Sequence, residues 1–215
     1  MELDRLLERS MELQEALAEA MNGARPYDLR WSVAQRACAV AWDHASALQL
    51  SMSRDLLVPA IALLRLQYEA FARAAWVGYT ASDRDLELIS APLSEETSEA
   101  AARIPTLSKM VEQLGRSDSP GAHSAHQMLL SFKGPNWAVL NSYVHAGIHP
   151  LTAAAGKFPE QLAAGILRMS NGLAIGNGMV AVVSSGEMSR INAVRLLQRQ
   201  FLDCCPSVLH PTTGI

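Results

Sequence analysis

The sequence predicts an all-α protein, a single-domain helical bundle of about seven to nine helices with no β-sheet. Long segments carry apolar residues at helical spacing, and glycine or proline separates them. No segment alternates apolar and polar residues as a half-buried strand does. With 215 residues, of which 49% are hydrophobic, the chain is long enough for one sizeable core. We therefore expect residues 1–215 to form one domain.

Composition narrows the classes of function. The net charge is −3 and no basic run occurs, which disfavours an extended nucleic-acid-binding surface. Cys38, Cys204 and Cys205 lack zinc-site spacing, so we expect reduced thiols in a cytoplasmic protein. The first residues do not resemble a signal peptide. Residues 162–185 are strongly apolar, but Arg168 interrupts them, and we expect a core helix and no contact with a membrane.

The first two helices are predicted from their patterns. Residues 2–22 carry apolar residues at heptad positions, with acidic and basic residues between them. Residues 1–24, which contain this helix, are either a surface element that covers the core or an arm that pairs with a second copy of the chain. Asn22 and Gly23 end it, and a second long helix is expected over residues 28–52.

The most informative helix covers residues 58–78. It is apolar or small on almost every side, which is typical of a buried helix. Arg65, Glu69 and Arg73 form a single charged stripe at successive steps of four residues. Because unpaired buried charges are very costly, this stripe must face partners that satisfy it.

The second half of the chain continues the helical pattern. Residues 81–105 are acidic and predict one or two short, exposed helices. Gly147 and Pro150 are expected to stop the helix before them, and residues 206–215 form a ragged tail. Further helices are expected over residues 106–115, 122–132, 136–146, 159–185 and 187–203.

A candidate site arises where two of these helices would meet. Asn141 and His145 share a face of the helix over residues 136–146. If this face packs against the charged stripe, His145 is a candidate catalytic acid or base near neutral pH, positioned by Asn141.

The charged stripe would then supply the binding groups of this site. Arg65 and Arg73 are candidate ligands for a phosphate or carboxylate, and Glu69 would orient one of them. The alternative is that Glu69 and one arginine form a buried ion pair and nothing reacts.

Neighbouring side chains complete the list of candidates. Tyr68, Tyr143 and His149 are further ligand-binding candidates by position. His145 and His149 are spaced like a zinc-binding pair on a helix, yet Gly147 should interrupt that helix. We therefore expect no metal and no cofactor, and the chain has no phosphate-binding glycine loop.

Residues 140–145 (Leu-Asn-Ser-Tyr-Val-His) and the Ala-Gly-Ile-His-Pro that follows resemble a motif of uncharacterised bacterial helical proteins. In that family a helix with the pattern Arg-x-x-x-Glu-x-x-x-Arg ends in tryptophan and precedes the motif. Here that pattern is Arg65, Glu69, Arg73 and Trp76. The resemblance covers roughly residues 55–150, and it implies a fold and not an activity.

The same segment is more distantly similar to the higher eukaryotes and prokaryotes nucleotide-binding (HEPN) superfamily. Its members are helical bundles, usually dimers, and many are metal-independent ribonucleases of toxin–antitoxin or antiphage systems. Their motif is an arginine, a polar residue, three further residues and a histidine. Asn141 and His145 match it, whereas Leu140 stands in place of the arginine that helps to bind the scissile phosphate. Arg65 or Arg73 would have to replace that arginine in space.

Three hypotheses follow from the sequence. The first is a homodimer with an RNA- or nucleotide-directed toxin or defence role and a site centred on His145. The second is a non-enzymatic structural or interaction protein in which the Arg65–Glu69–Arg73 stripe is a buried network. The third is a sensor that binds a small anionic ligand in the same place.

Overall fold

A computed structural model describes residues 3–92, 94–101, 103–154 and 159–207. These residues form helices, turns and loops, and no strand occurs among them. The all-α prediction is therefore confirmed, although the number of helices is above the expected seven to nine. The elements are α1 Leu3–Met21, α2 Leu29–Met52, α3 Leu57–Tyr79, α4 Asp83–Ser90, α5 Glu95–Ala101, α6 Leu107–Gly115, α7 Pro120–Val144, α8 Ile148–Ala154, α9 Glu160–Val183, α10 Met188–Gln200 and a 3₁₀ turn, Leu202–Cys204.

Helix α7 differs from its prediction. It runs without a break through positions 134 and 135, where we expected one helix to end and another to begin. A proline inside a helix removes one backbone hydrogen bond, but packing can compensate for that loss. Tyr68 of α3 contacts both halves of α7, stacking on Phe132 at 4.8 Å and meeting Trp137 edge-on at 5.3 Å between ring centroids.

Helix α8 also departs from the prediction. The preceding helix does end before Gly147 and Pro150, as expected, but Pro150 is the third residue of a new helix that was not predicted. The first backbone N–H groups of a helix have no intrahelical acceptor, so a proline at this position costs little. Ala146, with a left-handed φ of 49°, ends the preceding helix, and the N–H of Gly147 donates to the carbonyl of Ser142 at 2.7 Å.

The core is centred on α3, which lies among α2, α6, α7 and α9. The prediction that this helix is buried is confirmed, since it contributes twelve buried residues. The three largest fully buried side chains of the described residues, Trp76, Tyr68 and Phe71, all come from it.

Helix α9 forms the other half of the core and contacts α1, α2, α3 and α10. It is long and apolar enough to cross a membrane, but most of its apolar surface is buried by these neighbours. One of its glycines permits a close approach: a Cβ at Gly176 would lie 2.6 Å from Met128 Sδ and 2.9 Å from Phe71 Cζ. The small residues of this helix therefore let α3 and α7 pack closely against it.

Helix α1 covers the core of its own chain. Its heptad positions Leu6, Ser10, Leu13 and Leu17 are buried, mainly against α9. Asn171 of α9 donates from Nδ2 to Ser10 Oγ at 2.8 Å. The apolar face of this helix is therefore occupied within the chain.

The acidic segment forms α4, which is half-buried and packs Leu86 and Ile89 against the core, and α5, which is mostly exposed. Ser82 caps α4 and exchanges hydrogen bonds with Asp85. The oxygen Oγ of Ser94 accepts a hydrogen bond from the backbone N–H of Thr97 at 3.2 Å at the start of α5. Of the predicted tail over residues 206–215, positions 208–215 lie outside the described residues.

Candidate functional site

Arg65 connects α3 to α7 through its guanidinium group. Its Nε donates a hydrogen bond to Asn141 Oδ1 at 3.1 Å. Its guanidinium carbon lies 3.5 Å from the centre of the Trp137 ring. Its Nη1 forms an ion pair with Glu69, one turn further along α3. The structure thus brings together the first two charged residues of the stripe and the amide of Asn141.

The electrostatics of this cluster follow from its burial. Only 11% of the Arg65 side chain is exposed, whereas 39% of the Glu69 side chain is. Burial lowers the pKa of Arg65, and the charge of Glu69 opposes that shift. A guanidinium remains charged in proteins at physiological pH. Arg65 is therefore a cation at the contact between α3 and α7, with one carboxylate beside it.

The two candidate tyrosines are packing residues. Tyr68 is fully buried, and its hydroxyl donates to the carbonyl of Leu129 at 3.2 Å. Burial raises the pKa of its phenol far above the usual value. Tyr143 is also buried, and burial raises its pKa too. Both side chains therefore hold α7 in the core, and neither presents its ring to solvent.

His145 lies one helical turn beyond Asn141 of the Arg65 cluster, at the end of α7. It is the residue after the last turn of α7, and its backbone N–H donates to the carbonyl of Asn141 at 3.1 Å. Its side chain is exposed, and it makes no hydrogen bond or ion pair with another described residue. His145 therefore still follows Asn141 by one helical turn, as expected, although the helix itself ends at Val144.

His149 is exposed at the start of α8, where its backbone N–H donates to Ser142 Oγ at 3.2 Å. The turn at Ala146 separates His145 and His149, so they do not share one helix. Within the described part of the chain, no three His, Cys, Asp or Glu side chains are grouped to hold a metal ion. The histidine spacing therefore does not produce a helical zinc pair.

Arg73 does not join the cluster. It is exposed and lies eight residues beyond Arg65, about 12 Å further along the helix axis. Helices α3 and α7 run antiparallel, since Arg65 meets Asn141 while Tyr79 lies beside Gly121. Arg73 is thus displaced away from His145, and the expected three-residue network contains only its first two members.

Two further residues of α7, Leu140 and Lys133, determine where positive charge lies at the contact between α3 and α7. Leu140, at the arginine position of the HEPN motif, is 3% exposed and belongs to the core. Lys133 is not among the residues predicted from the sequence, although it precedes Trp137 by one helical turn. Its Nζ lies 4.9 Å from the centre of the Trp137 ring and 3.3 Å from Ser108 Oγ. Trp137 therefore has two cations against its ring, Lys133 and Arg65.

The comparisons place the candidate site within a known family. A model described as a family of unknown function, DUF6988, matches residues 38–207, which include every candidate residue from Arg65 to His149. No curated protein matches the chain, and no solved structure does. The expected resemblance to a family of uncharacterised proteins is therefore confirmed. Because the match covers most of its length, the chain belongs to the DUF6988 family, whose function is unknown.

Proposed function

We propose that the protein is a non-enzymatic interaction protein that acts as a homodimer. In this proposal, Arg65 is a structural clamp between α3 and α7. The observation that supports it is the enclosure of the Arg65 guanidinium by Glu69, Asn141 and Trp137. An anionic substrate or ligand would have to compete with the Glu69 carboxylate for the same cation, and it would be repelled by that carboxylate. The same competition argues against the third hypothesis, a sensor that binds small anions at the contact between α3 and α7.

The proposed dimer surface lies next to the clamp, where α7 ends and α8 begins. Ile148 and Leu151 are 69% and 64% exposed and occupy neighbouring positions on α8. Val144, the last residue of α7, is 37% exposed. We call these three residues the α7–α8 corner. Exposed apolar side chains beside polar ones, here His145 and His149, are typical of protein–protein contact sites.

A second copy of the chain is the partner that we propose for the α7–α8 corner. A twofold dimer brings the same patch of both chains together, so one apolar corner supplies both halves of the contact. Charged residues are depleted in the centre of such interfaces, and none of the three corner residues is charged.

The oligomeric state tests this proposal. Light scattering after size exclusion should give the mass of a dimer for the wild type. Leu151→Glu should give a monomer, because it places a carboxylate in the proposed interface. Leu196→Glu is the matched control: Leu196 is 63% exposed on α10, away from the corner, and its variant should remain dimeric. A monomeric wild type, or two variants that behave alike, would exclude this interface.

A second function is favoured by the position of His145. Its exposed imidazole follows Asn141 by one turn, and Asn141 accepts a hydrogen bond from Arg65. Arg65, which is bonded to the residue next to Leu140, would take the place of the arginine that the motif has at that position. In this RNA- or nucleotide-directed, HEPN-like role, His145 would exchange a proton with a reacting hydroxyl. Arg65 would turn from Glu69 to the phosphate, and two copies of His145 would approach across the dimer.

RNA cleavage separates the two functions. If the second function holds, the wild type should cleave RNA and slow growth when expressed, and His145→Ala should abolish both effects. His123→Ala is the control, since His123 is an exposed histidine near the opposite end of α7. A wild type that is dimeric but neither cleaves RNA nor slows growth would eliminate the second function and leave the first.

A further inference from the structure

An open groove runs between α1 and α2. Both helices pack on α9 but make few contacts with each other. The gap contains two cavities, of about 350 Å³ and about 680 Å³, and Trp42 lines both of them. The larger cavity has a volume that is usual for a small-molecule site. It lies on α1, α2 and α9, so it is separate from the Arg65 cluster and from the α7–α8 corner.

The lining of the larger cavity has a distinct chemical character. Met21, Trp42 and several alanines make most of its wall apolar. Glu19 is the one carboxylate among the residues that line it, and none of these residues is basic. The cavity therefore favours an apolar molecule with a positive charge over one with a negative charge.

An unpaired buried oxygen lies in the same cavity wall. Asn177 is 2% exposed, and its Nδ2 donates to the carbonyl of Cys38 at 3.0 Å. Its Oδ1 has no hydrogen-bond partner among the described residues. The amide cannot be turned over, because its oxygen would then face the carbonyl oxygen of Cys38. A buried acceptor without a partner is costly, and a donor supplied by a ligand would remove that cost.

We propose that this groove binds a small, mostly apolar amine in its protonated form. The apolar part lies against Trp42 and Met21, and the positive charge lies near Glu19. A hydrogen-bond donor of the ligand is directed at Asn177 Oδ1. That oxygen is buried, and the wall of which it is part also contains Met21, whose unbranched side chain is flexible.

Three naphthalene compounds of nearly equal size test the proposal by titration calorimetry. They are 1-naphthylmethylamine, 1-naphthylmethanol and 1-naphthoate. The amine should bind the wild-type protein most tightly, because it supplies both the charge and the donor. The alcohol should bind more weakly, and the carboxylate should bind least. Equal affinities for the three compounds, or no saturable binding of the amine, would overturn the proposal.

Variants then assign the binding to this groove. Glu19→Gln should weaken binding of the amine by about fivefold and leave the alcohol unaffected, since the lost pair is an exposed one. Glu8→Gln, the same change on the same helix outside the cavity lining, should leave both affinities unaltered. An equal effect of the two variants would show that only the net charge matters and would overturn the assignment.

Two further variants probe the cavity itself. Asn177→Leu should weaken binding of both the amine and the alcohol by about tenfold, because it removes the acceptor that both compounds use. If that variant does not fold, Ala39→Phe provides the test. Ala39 lines the cavity at an exposed position, so a phenylalanine there should fill the space and weaken binding of the amine. Unchanged binding by Ala39→Phe, or binding of a basic helical peptide in place of the amine, would contradict the proposed ligand.

Discussion

Gln67 on α3 and Ser170 on α9 exchange two hydrogen bonds in the centre of the core. Gln67 Nε2 donates to the carbonyl of Ser170 at 2.9 Å, and Ser170 Oγ donates to Gln67 Oε1 at 2.7 Å. Each residue is 1% exposed. Both helices are otherwise strongly apolar, so a polar pair at their contact helps to fix how they slide and rotate against each other.

This pair leads to a stability prediction. Ser170→Ala leaves the amide oxygen of Gln67 buried without its donor, and it should lower the free energy of unfolding by about 1–3 kcal/mol. Ser131→Ala is the control: Ser131 is exposed on α7, where its hydroxyl donates to the carbonyl of Met128 at 2.8 Å, so its loss should change stability by less than about 0.5 kcal/mol. Urea unfolding of the two variants measures the difference, and equal losses would show that the buried pair has no special contribution.

Two glycines of α9 should respond in opposite ways to alanine. Gly176→Ala places a Cβ against Met128 and Phe71 and should destabilise the fold by about 1–3 kcal/mol. A Cβ at Gly165 meets no atom within 4 Å, so Gly165→Ala should stabilise the helix by about 0.5–1 kcal/mol. Thermal or urea unfolding compares them directly, and a stable Gly176→Ala protein would contradict the close packing of α9 with α3 and α7.

The two arginines of α3 should differ sharply in their contribution to stability. Arg65→Met removes the cation but leaves Glu69 and Asn141 without their partner, and it should cost about 2 kcal/mol. Arg73→Met, at an exposed position, should cost less than about 0.5 kcal/mol. Urea unfolding of both variants is the measurement. Equal costs would mean that Arg65 does not clamp α3 to α7.

Alkaline pH should destabilise the protein through buried acids. Burial raises the pKa of Cys38 from its usual 9.0 to about 12, and that of Tyr79 from 10.0 to about 12. Above pH 9 the unfolded state therefore loses these protons first, and stability should fall as the pH rises towards 12. Each group contributes up to about 1.4 kcal/mol per pH unit.

The variant Cys38→Ala tests this origin of the pH dependence. Between pH 9 and 11, its unfolding free energy should fall less steeply with pH than that of the wild type. Between pH 7 and 8, the two curves should be parallel, because neither state of Cys38 ionises there. Urea titrations across this range give both slopes, and identical slopes above pH 9 would refute a buried neutral thiol.

Local signals explain the parts of the fold that the sequence predicted. Residues 58–78 are apolar on nearly every side, and the helix that contains them is buried because no polar face remains for solvent. The capping pattern of Ser82 and Asp85 lies within four consecutive residues, so its outcome does not depend on the rest of the molecule. The pairing of Arg65 with Glu69 was also predictable, as it joins successive turns of one helix.

Contacts between helices explain what the sequence did not predict. Whether Pro135 starts a helix or lies within one depends on how firmly α3 holds the segments on either side. The distance of Arg73 from His145 follows from the antiparallel direction of α3 and α7, which the pattern of either segment alone does not contain. The groove between α1 and α2 likewise forms because both helices pack on α9 and leave a gap between them.

The position of α9 late in the chain has a consequence that we expect during synthesis. The buried face of α1 packs mainly on α9, which begins at Glu160, about 140 residues after α1 ends. A ribosome releases the chain from its N-terminus, so Leu6, Leu13 and Leu17 leave the tunnel long before their partner exists. Contacts between residues far apart in the sequence, such as those of α1 with α9, form slowly because a long segment of chain must first close into a loop. We therefore expect the charged residues that surround those leucines to keep α1 soluble until α9 has been synthesised.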